Sequence, residues 1–199
     1  MRETTLGRRV GRILVGAGLA AALTIGAPPV GEAAPLPSAK DRGRAPIDDL
    51  APYQPQRRCD PHPKPGVVAF RNRVLRAYPS TSDYGISRSC GVSGTSEHKE
   101  GRAWDWGVHD KSATKKFLKS LLARKRGKKN ADARRYGIMY IIYNGRIWRS
   151  YGDKRGWDDY ECSGVTLCHR DHVHFSFSAE GALMRTSAWD GTPVRYGGD

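Results

Sequence analysis

The chain has 199 residues, of which 38% are hydrophobic and 27% are charged, and its formal net charge is +14. This composition fits one ordinary domain with a modest hydrophobic core, and it excludes a protein with several membrane spans. The 23 glycines and 12 prolines indicate a loop-rich domain rather than a helical bundle.

The first 33 residues have the pattern of a secretory signal peptide. A cluster of three arginines precedes an apolar stretch over residues 13–25, which is shorter than the roughly 20 residues that a membrane-spanning helix needs. The small residues Gly31 and Ala33 then fit a cleavage site. The alternative is a retained N-terminal anchor, and in both cases the domain that follows lies outside the cytoplasm. We therefore expect a secreted or cell-wall protein.

Residues 34–58 contain five prolines, and we interpret them as a linker that becomes ordered towards Cys59. The expected domain then covers residues 59–199. Its first predicted helix covers residues 66–78, because apolar side chains recur there at helical spacing and Pro65 suits the first turn.

Two further helices are predicted in the middle of the chain. The longer one covers residues 110–126; Asp110 or Ser112 caps its start, and Gly127 ends it. Its buried face consists of Phe117, Leu118, Leu121 and Leu122. The shorter helix covers residues 131–136.

The hydrophobic period changes after the third helix. Residues 138–143 are rich in β-forming side chains, Asn144-Gly145 is a favoured two-residue hairpin turn, and residues 146–149 alternate on the return strand. Residues 103–108 and 173–177 are the other predicted strands. Helices around a small, mostly antiparallel sheet define the α+β class.

Four cysteines lie in the part of the chain expected to be exported: Cys59, Cys90, Cys162 and Cys168. The absence of a Cys-x-x-Cys pair disfavours a zinc knuckle or a thioredoxin-type motif. An even number of cysteines in an oxidising compartment favours two disulfides over free buried thiols. Three connectivities are open. We favour Cys162 with Cys168 across a short loop, and Cys59 with Cys90 to tie down the N-terminal segment.

Residues 111–135 concentrate the positive charge, with eleven basic residues against one acid, Asp132. The basic residues are Lys111, Lys115, Lys116, Lys119, Arg124, Lys125, Arg126, Lys128, Lys129, Arg134 and Arg135. One interpretation is a solvated helix face, and the other is a contact surface for an anionic wall polymer or lipid. Aromatic residues do not alternate with the basic ones, which argues against a single-stranded nucleic-acid site. We expect no specific nucleic acid, and a monomeric protein.

Two groups of histidine and acidic residues suggest catalytic chemistry. The first combines His98 with Asp105, and the second combines Asp171 with His172 and His174. A turn in the first group would place the histidine on an incoming loop and the aspartate on the strand beyond it. In the second group, alternation along a strand places the two histidines on one face.

An imidazole, a carboxylate and a second imidazole form a typical catalytic zinc set, with a fourth position left for water. Zinc lowers the pKa of its bound water and polarises a carbonyl group. We predict His98, Asp105 and His174 as the ligands, with Asp171 and His172 as candidates for the base that takes the proton. The alternative is that these histidines are ordinary surface or core residues. The His-Glu-x-x-His motif is absent, which excludes a thermolysin-like architecture.

The first group resembles a motif of a known zinc-peptidase superfamily. Ser96, His98, Gly101, Ala103 and Asp105 match every fixed position of Ser-x-His-x-x-Gly-x-Ala-x-Asp. This pattern is carried by the D-Ala-D-Ala and L-alanyl-D-glutamate peptidases, within the superfamily named for lysostaphin, D-alanyl-D-alanine carboxypeptidase and hedgehog. The chain is also similar to small actinobacterial secreted domains with the same pattern.

The second group is similar to the pattern of an acid, two residues and a histidine in the same peptidases. Asp171, His174 and Phe175 fit it, with aspartate in place of glutamate as in the phage-endolysin subgroup. The resemblance covers about residues 80–178, and it implies a hedgehog/D,D-peptidase-like fold. The basic helix and the loop over residues 162–168 are not general features of that family.

The resemblance also implies roles for individual residues. The implied zinc ligands are His98, Asp105 and His174. The implied catalytic acid/base is Asp171, but His172 creates a His-x-His pair as in other branches of the superfamily, so the base is Asp171, His172 or both. Arg88, upstream of the first motif, is the candidate for steadying the substrate or the transition state.

These patterns predict a secreted zinc peptidase, a D,D-carboxypeptidase or an L-alanyl-D-glutamate peptidase, that hydrolyses amide bonds of peptidoglycan peptides. Residues 111–135 are its expected contact with an anionic wall polymer. One alternative is a non-catalytic, zinc-containing module that binds the cell wall. The other is a metal-dependent nuclease, suggested by the positive charge and by the Asp171-His172 pair.

Overall fold

The computed structural model describes residues 46–197. The predicted signal peptide and the first part of the predicted linker lie outside the described residues. The helices of the described part are α1 (Pro65–Ala77), α2 (Lys111–Leu121), α3 (Ala131–Tyr136) and α4 (Ala179–Ala182). The strands are β1 (Ser82–Gly85), β2 (Ala103–Gly107), β3 (Ile138–Tyr143), β4 (Arg146–Arg149), β5 (Gly156–Asp159) and β6 (His172–Phe177). A 3-10 turn, Glu97–Glu100, precedes β2.

The six strands form one antiparallel sheet in the order β1-β2-β6-β3-β4-β5. The last strand in the chain, β6, therefore lies in the middle of the sheet, between β2 and β3. This insertion makes neighbours of two segments that are about seventy residues apart in sequence, and each carries one of the predicted groups of metal ligands. The predicted α+β class with a small antiparallel sheet is confirmed.

The two faces of the sheet differ in chemistry. On one face, Trp104, Trp106 and Phe175 are fully buried, and Phe70 of α1 makes edge-to-face contacts with Trp104 and Phe175. Such aromatic pairs contribute about 0.5–1.5 kcal/mol beyond their buried area. The opposite face carries polar side chains, among them His174. The core thus lies between the sheet and the helices, and the polar face is left for a site.

The predicted helices and strands are present, but the second helix is shorter than expected. Asp110 caps α2 by accepting hydrogen bonds from the backbone N–H groups of Ser112 and Ala113 at 2.7 and 3.0 Å. The helix ends at Leu121 instead of residue 126. The backbone reverses there in a tight turn: Arg126 and Gly127 have φ of 50° and 80°, and Lys125 and Lys128 exchange two backbone hydrogen bonds of 3.0 and 3.1 Å.

The basic residues at 111–135 do not form one uniform exposed surface. Arg134 and Arg135 are buried, and Arg135 donates a hydrogen bond to Asp132. Lys125 also pairs with Asp132. By contrast, the exposed lysines of α2 are Lys111, Lys115, Lys116 and Lys119. Part of the positive charge therefore stabilises the domain itself. The exposed part is divided between α2 and the segment that follows it, in which Arg124, Arg126, Lys128 and Lys129 are exposed.

The described end of the predicted linker, residues 46–58, has no regular secondary structure but packs into the domain. Its buried residues are Ile47, Asp48 and Ala51. The carboxylate of Asp48 accepts hydrogen bonds from the backbone N–H groups of Ser187 and Val194, at 3.1 and 2.8 Å, and from the Ser187 hydroxyl. The compact domain therefore begins before Cys59. The sequence did not predict this packing, because isolated buried contacts in an extended segment leave no periodic pattern.

The two disulfides join Cys59 to Cys90 and Cys162 to Cys168, so the favoured pairing is confirmed. The first ties the N-terminal segment to the loop before the 3-10 turn, and the second closes a loop between β5 and β6. Disulfides of this kind indicate an oxidising, extracellular environment. Within residues 46–197, no helix combines the length and the apolar character needed to cross a bilayer.

Removing the Cys59–Cys90 disulfide is expected to lower the free energy of unfolding by about 3–4 kcal/mol, against about 2 kcal/mol for Cys162–Cys168. The reason is that the first bond closes a loop of 31 residues and the second a loop of 6, so the first restricts the unfolded chain more. Urea unfolding of the Cys59→Ser/Cys90→Ser and Cys162→Ser/Cys168→Ser variants measures both. A larger loss for the second variant would contradict this ranking.

Candidate metal centre

Three predicted ligands meet on the polar face of the sheet. His98 comes from the 3-10 turn, Asp105 from β2 and His174 from β6, and one ligand atom of each lies within 4.8 Å of the other two. Within residues 46–197, these three side chains form the group of histidine, cysteine and acidic residues whose ligand atoms lie close enough together to hold one metal ion. The structure therefore brings together the ligand set that the sequence predicted.

His98 is positioned by the turn that carries it. The Ser96 side chain caps this turn by accepting a hydrogen bond from the backbone N–H of His98 at 3.3 Å, and Gly101 ends it with φ of 61°. The Nδ1 atom of His98 lies 2.7 Å from the carbonyl oxygen of Ile86. Because a carbonyl only accepts hydrogen bonds, Nδ1 carries the proton, and the lone pair of Nε2 points to the centre.

Asp105 and His174 are placed by strand pairing. They are directly opposite each other in the antiparallel ladder of β2 and β6, so their side chains emerge on the same face. The Nδ1 atom of His174 lies 2.8 Å from Oδ1 of Asp105 and 3.3 Å from Nε2 of His98. The His98 Nε2 atom in turn lies 3.2 Å from the same carboxylate oxygen.

These separations fit a tetrahedral zinc ion. Ligand atoms that are each about 2.0–2.1 Å from a tetrahedral ion lie roughly 3.3 Å from one another. The three observed separations, 2.8, 3.2 and 3.3 Å, are close to that value. Two imidazole nitrogens and one carboxylate oxygen are also the donor types that zinc takes in catalytic sites. The residues present therefore fit a metal ion.

The electrostatics of the centre keep its carboxylate charged. Burial alone would raise the pKa of Asp105, but the close contacts of its carboxylate with His174 and His98 outweigh burial and hold that pKa well below its usual range. Burial lowers the pKa of His174, so that the imidazole is neutral. An ionised carboxylate beside a neutral imidazole is the protonation state in which these groups bind a cation.

The two candidates for the catalytic base form a pair next to the centre. Nδ1 of His172 lies 2.8 Å from Oδ1 of Asp171, and Nε2 of His172 lies 3.9 Å from Oδ1 of Asp105. His172 is buried, whereas the Asp171 side chain is 37% exposed. Burial raises the pKa of Asp171, but the hydrogen bond to His172 outweighs it and leaves that pKa lowered. The aspartate is thus ionised and orients the imidazole.

The centre and the pair lie on the wall of one open cavity of about 650 Å³. Arg88, the candidate for steadying a substrate, also lies on this wall, and its side chain is exposed. Its backbone N–H donates to the carbonyl oxygen of His98 at 3.2 Å. The three predicted ligands and the three catalytic candidates therefore border one space that is large enough for a short peptide.

The cavity also contains residues to which the sequence assigned no role. His169 lies with its ring centroid 4.5 Å from that of His172, and burial with the nearby His174 and His172 lowers the pKa of His169 to about 4. Tyr140 stacks on His174 and donates a hydrogen bond to Glu97 at 2.5 Å. Two signals in the sequence could have identified these residues. His169 lies two residues before Asp171, and Tyr140 alternates with Ile141 along β3.

Replacing Gly101 with alanine is expected to cost about 2–4 kcal/mol of stability and to weaken metal binding. A Cβ atom at Gly101 would lie 2.0 Å from the carbonyl oxygen of His62, and φ is 61°, so the turn that carries His98 must move. Gly94→Ala is the matched control, because φ is 76° there but the space is open. Thermal unfolding and zinc titration measure both variants, and equal losses would contradict the role of the contact.

The fold and the site together define a small α+β domain with a candidate metal centre of two histidines and one aspartate on an open sheet face. A family model described as VldE, C-terminal domain, matches residues 59–170. This stretch is more than half of the chain, which therefore belongs to that family. The matched residues include His98 and Asp105 and end just before Asp171. His174, the ligand on β6, therefore lies outside the matched residues. Neither the comparison with curated proteins nor that with solved structures gives a match.

Proposed function

We propose that the chain is a secreted zinc peptidase that hydrolyses amide bonds in peptidoglycan peptides. The observation that carries this proposal is the convergence of His98, Asp105 and His174 beside the Asp171–His172 pair on one open cavity. A metal ion next to a proton acceptor is the arrangement of metal-dependent hydrolases. The resemblance of both sequence motifs to the D-Ala-D-Ala and L-alanyl-D-glutamate peptidases supports a peptide amide as the bond attacked.

Zinc is the metal we propose, because its usual catalytic donors are those found here. When bound, it supplies a Lewis acid that polarises the scissile carbonyl and promotes loss of a proton from water. The protein holds the donors in place: Ile86 orients His98, and the β2–β6 ladder aligns Asp105 with His174.

The Asp171–His172 pair moves the proton in this proposal. The Nδ1–H group of His172 donates a hydrogen bond to the ionised carboxylate of Asp171. The other ring nitrogen, Nε2, therefore has a free lone pair that can take a proton, and it lies on the side of the ring that faces Asp105. The second oxygen of Asp171 is the alternative acceptor. The proton then passes to the leaving amine, which departs as a neutral group. Arg88 lines the same cavity, and in this proposal it binds a substrate carboxylate or carbonyl.

Export and wall contact are parts of the same proposal. The signal-peptide pattern of the first 33 residues and the two disulfides support secretion. The net charge of the full sequence is +14, and removal of the first 33 residues, which contain four basic and two acidic residues, leaves +12. This charge supports retention near anionic wall polymers.

The test is mass spectrometry of muropeptides incubated with the zinc-loaded protein. We expect loss of a terminal D-alanine if the protein is a carboxypeptidase, or a cut after L-alanine if it is an endopeptidase. The chelated protein and the His98→Ala variant are the matched controls. A folded, zinc-loaded protein that leaves every muropeptide intact would overturn the proposal, and sedimentation of that protein with cell walls would identify a binding module instead.

A further inference from the structure

A long groove lies on the face of the sheet opposite to the metal centre. In β3, Ile142 pairs with His174 and therefore belongs to the metal face, so Tyr143 belongs to the other face. Trp157 of β5 pairs with Trp148, a fully buried core residue, and so also belongs to the other face. Two cavities of about 510 and 470 Å³ lie against these strands; α2 borders the first, and the segment that follows α2 borders the second.

The two cavities adjoin, because Leu122 and Trp157 line both of them, and together they are called the groove. Leu122 and Trp157 are half-buried, and both pack on the edge of the hydrophobic core. The middle of the groove is thus apolar and partly open to solvent, and it offers an aromatic side chain to a ligand. A partly exposed tryptophan of this kind is a common contact in binding sites.

Positive charges stand at both ends of the groove. Lys115, Lys119 and Arg146 line the first cavity, and Lys129 and Arg155 line the second. All five residues are exposed. An acid near the first cavity is Asp159, whose carboxylate is 97% exposed and lies 3.8 Å from the Arg146 guanidinium. An exposed pair at that distance contributes little and leaves the arginine available.

We propose that this groove binds an anionic glycan, independently of the metal centre and of the activity proposed for it. The apolar C–H face of one sugar ring packs on Trp157 and Leu122, while carboxylate or phosphate groups on neighbouring sugars contact the cations at the two ends. A single-stranded nucleic acid fits less well, because it stacks its successive bases on aromatic side chains. Of the aromatic residues that line this groove, Tyr143 and Trp148 are buried, which leaves Trp157 for stacking.

The groove would hold the protein on a polymer while leaving the opposite cavity free. Because the two sites lie on opposite faces of one sheet, a glycan bound in the groove does not cover the metal ligands. The exposed lysines of α2 then have two different roles. Lys115 and Lys119 face the groove, whereas Lys116, on the same helix, does not line it.

The test is calorimetric titration of the folded protein with oligogalacturonate, an anionic sugar polymer. We expect binding, weakened about fivefold by Lys115→Ala and by Lys119→Ala and less than twofold by the matched variant Lys116→Ala, which removes the same charge from the same helix. Equal losses in the three variants, or no binding of the polymer by the parent protein, would overturn the proposal.

A second arm separates sugar recognition from charge alone. Trp157→Leu keeps an apolar side chain in β5 and the same net charge, and we expect it to weaken oligogalacturonate binding about tenfold without changing the affinity for inorganic polyphosphate. Thermal unfolding checks that this variant is folded. The proposal would be contradicted if Trp157→Leu bound the glycan as tightly as the parent protein does. It would also be contradicted if the parent protein bound polyphosphate or single-stranded DNA more tightly than the glycan.

Discussion

Replacing His98 or His174 with alanine is expected to lower the affinity for one zinc ion per chain at least about a hundredfold. Each variant removes one of three donors that lie 2.8–3.3 Å apart, and the two that remain do not satisfy the ion. Hydrolysis of muropeptides is expected to disappear with the metal. Zinc content after dialysis and competition with a chromogenic chelator measure the effect.

The control for this prediction is His109→Ala. His109 is exposed and lies outside the metal centre, at 3.5 Å from the Ser82 hydroxyl, so its loss removes an imidazole without removing a ligand. Because His98 and His174 are buried, circular dichroism and the retention of both disulfides must show that their variants are folded. Full zinc binding by folded His98→Ala and His174→Ala variants would rule out the proposed centre.

Replacing Asp171 with alanine is expected to leave zinc bound but to lower the rate of muropeptide hydrolysis by about 10²–10⁴. The carboxylate of Asp171 is not one of the three ligands, so the metal stays, but His172 loses the acceptor that fixes its tautomer. The pair then no longer presents a free lone pair at Nε2 in a defined orientation. Steady-state kinetics with a purified muropeptide, together with zinc analysis of the same sample, measures both parts.

A companion variant, His172→Gln, separates the two members of the pair. If His172 takes the proton, its loss lowers the rate at least as much as the loss of Asp171; if Asp171 takes it directly, His172→Gln keeps more activity. Both variants are expected to retain zinc. Normal turnover of Asp171→Ala would remove Asp171 from the reaction, and loss of zinc from that variant would show a role in holding the metal.

Much of the metal centre was predictable because its positions follow from local rules. Strand alternation puts Asp105 and His174 on definite faces, and the glycine at 101 allows the turn that returns His98. What local rules do not give is the pairing of β2 with β6, since strand order depends on contacts between distant segments. The sequence resemblance supplied that convergence as an expectation, and the sheet order accounts for it.

Other parts of the fold carried no readable pattern. The strands β1 and β5 have four residues each and mixed polar sequences, so neither shows the alternation that identifies a strand. The burial of Asp48 depends on Ser187, which is 139 residues away. The groove beside α2 was equally hidden, because Trp157 follows the basic segment by more than twenty residues and meets it only in three dimensions.

The loop that the Cys162–Cys168 disulfide closes borders the cavity of the candidate metal centre but supplies none of its three ligands. Thr166 and Leu167 lie on the cavity wall, and Leu167 is 69% exposed. In the proposed function, the metal ligands and the residues that border the substrate would therefore lie on separate pieces of the chain. Exchanging this small cyclic insert is then expected to change which peptides the proposed peptidase accepts, while the three metal ligands stay the same.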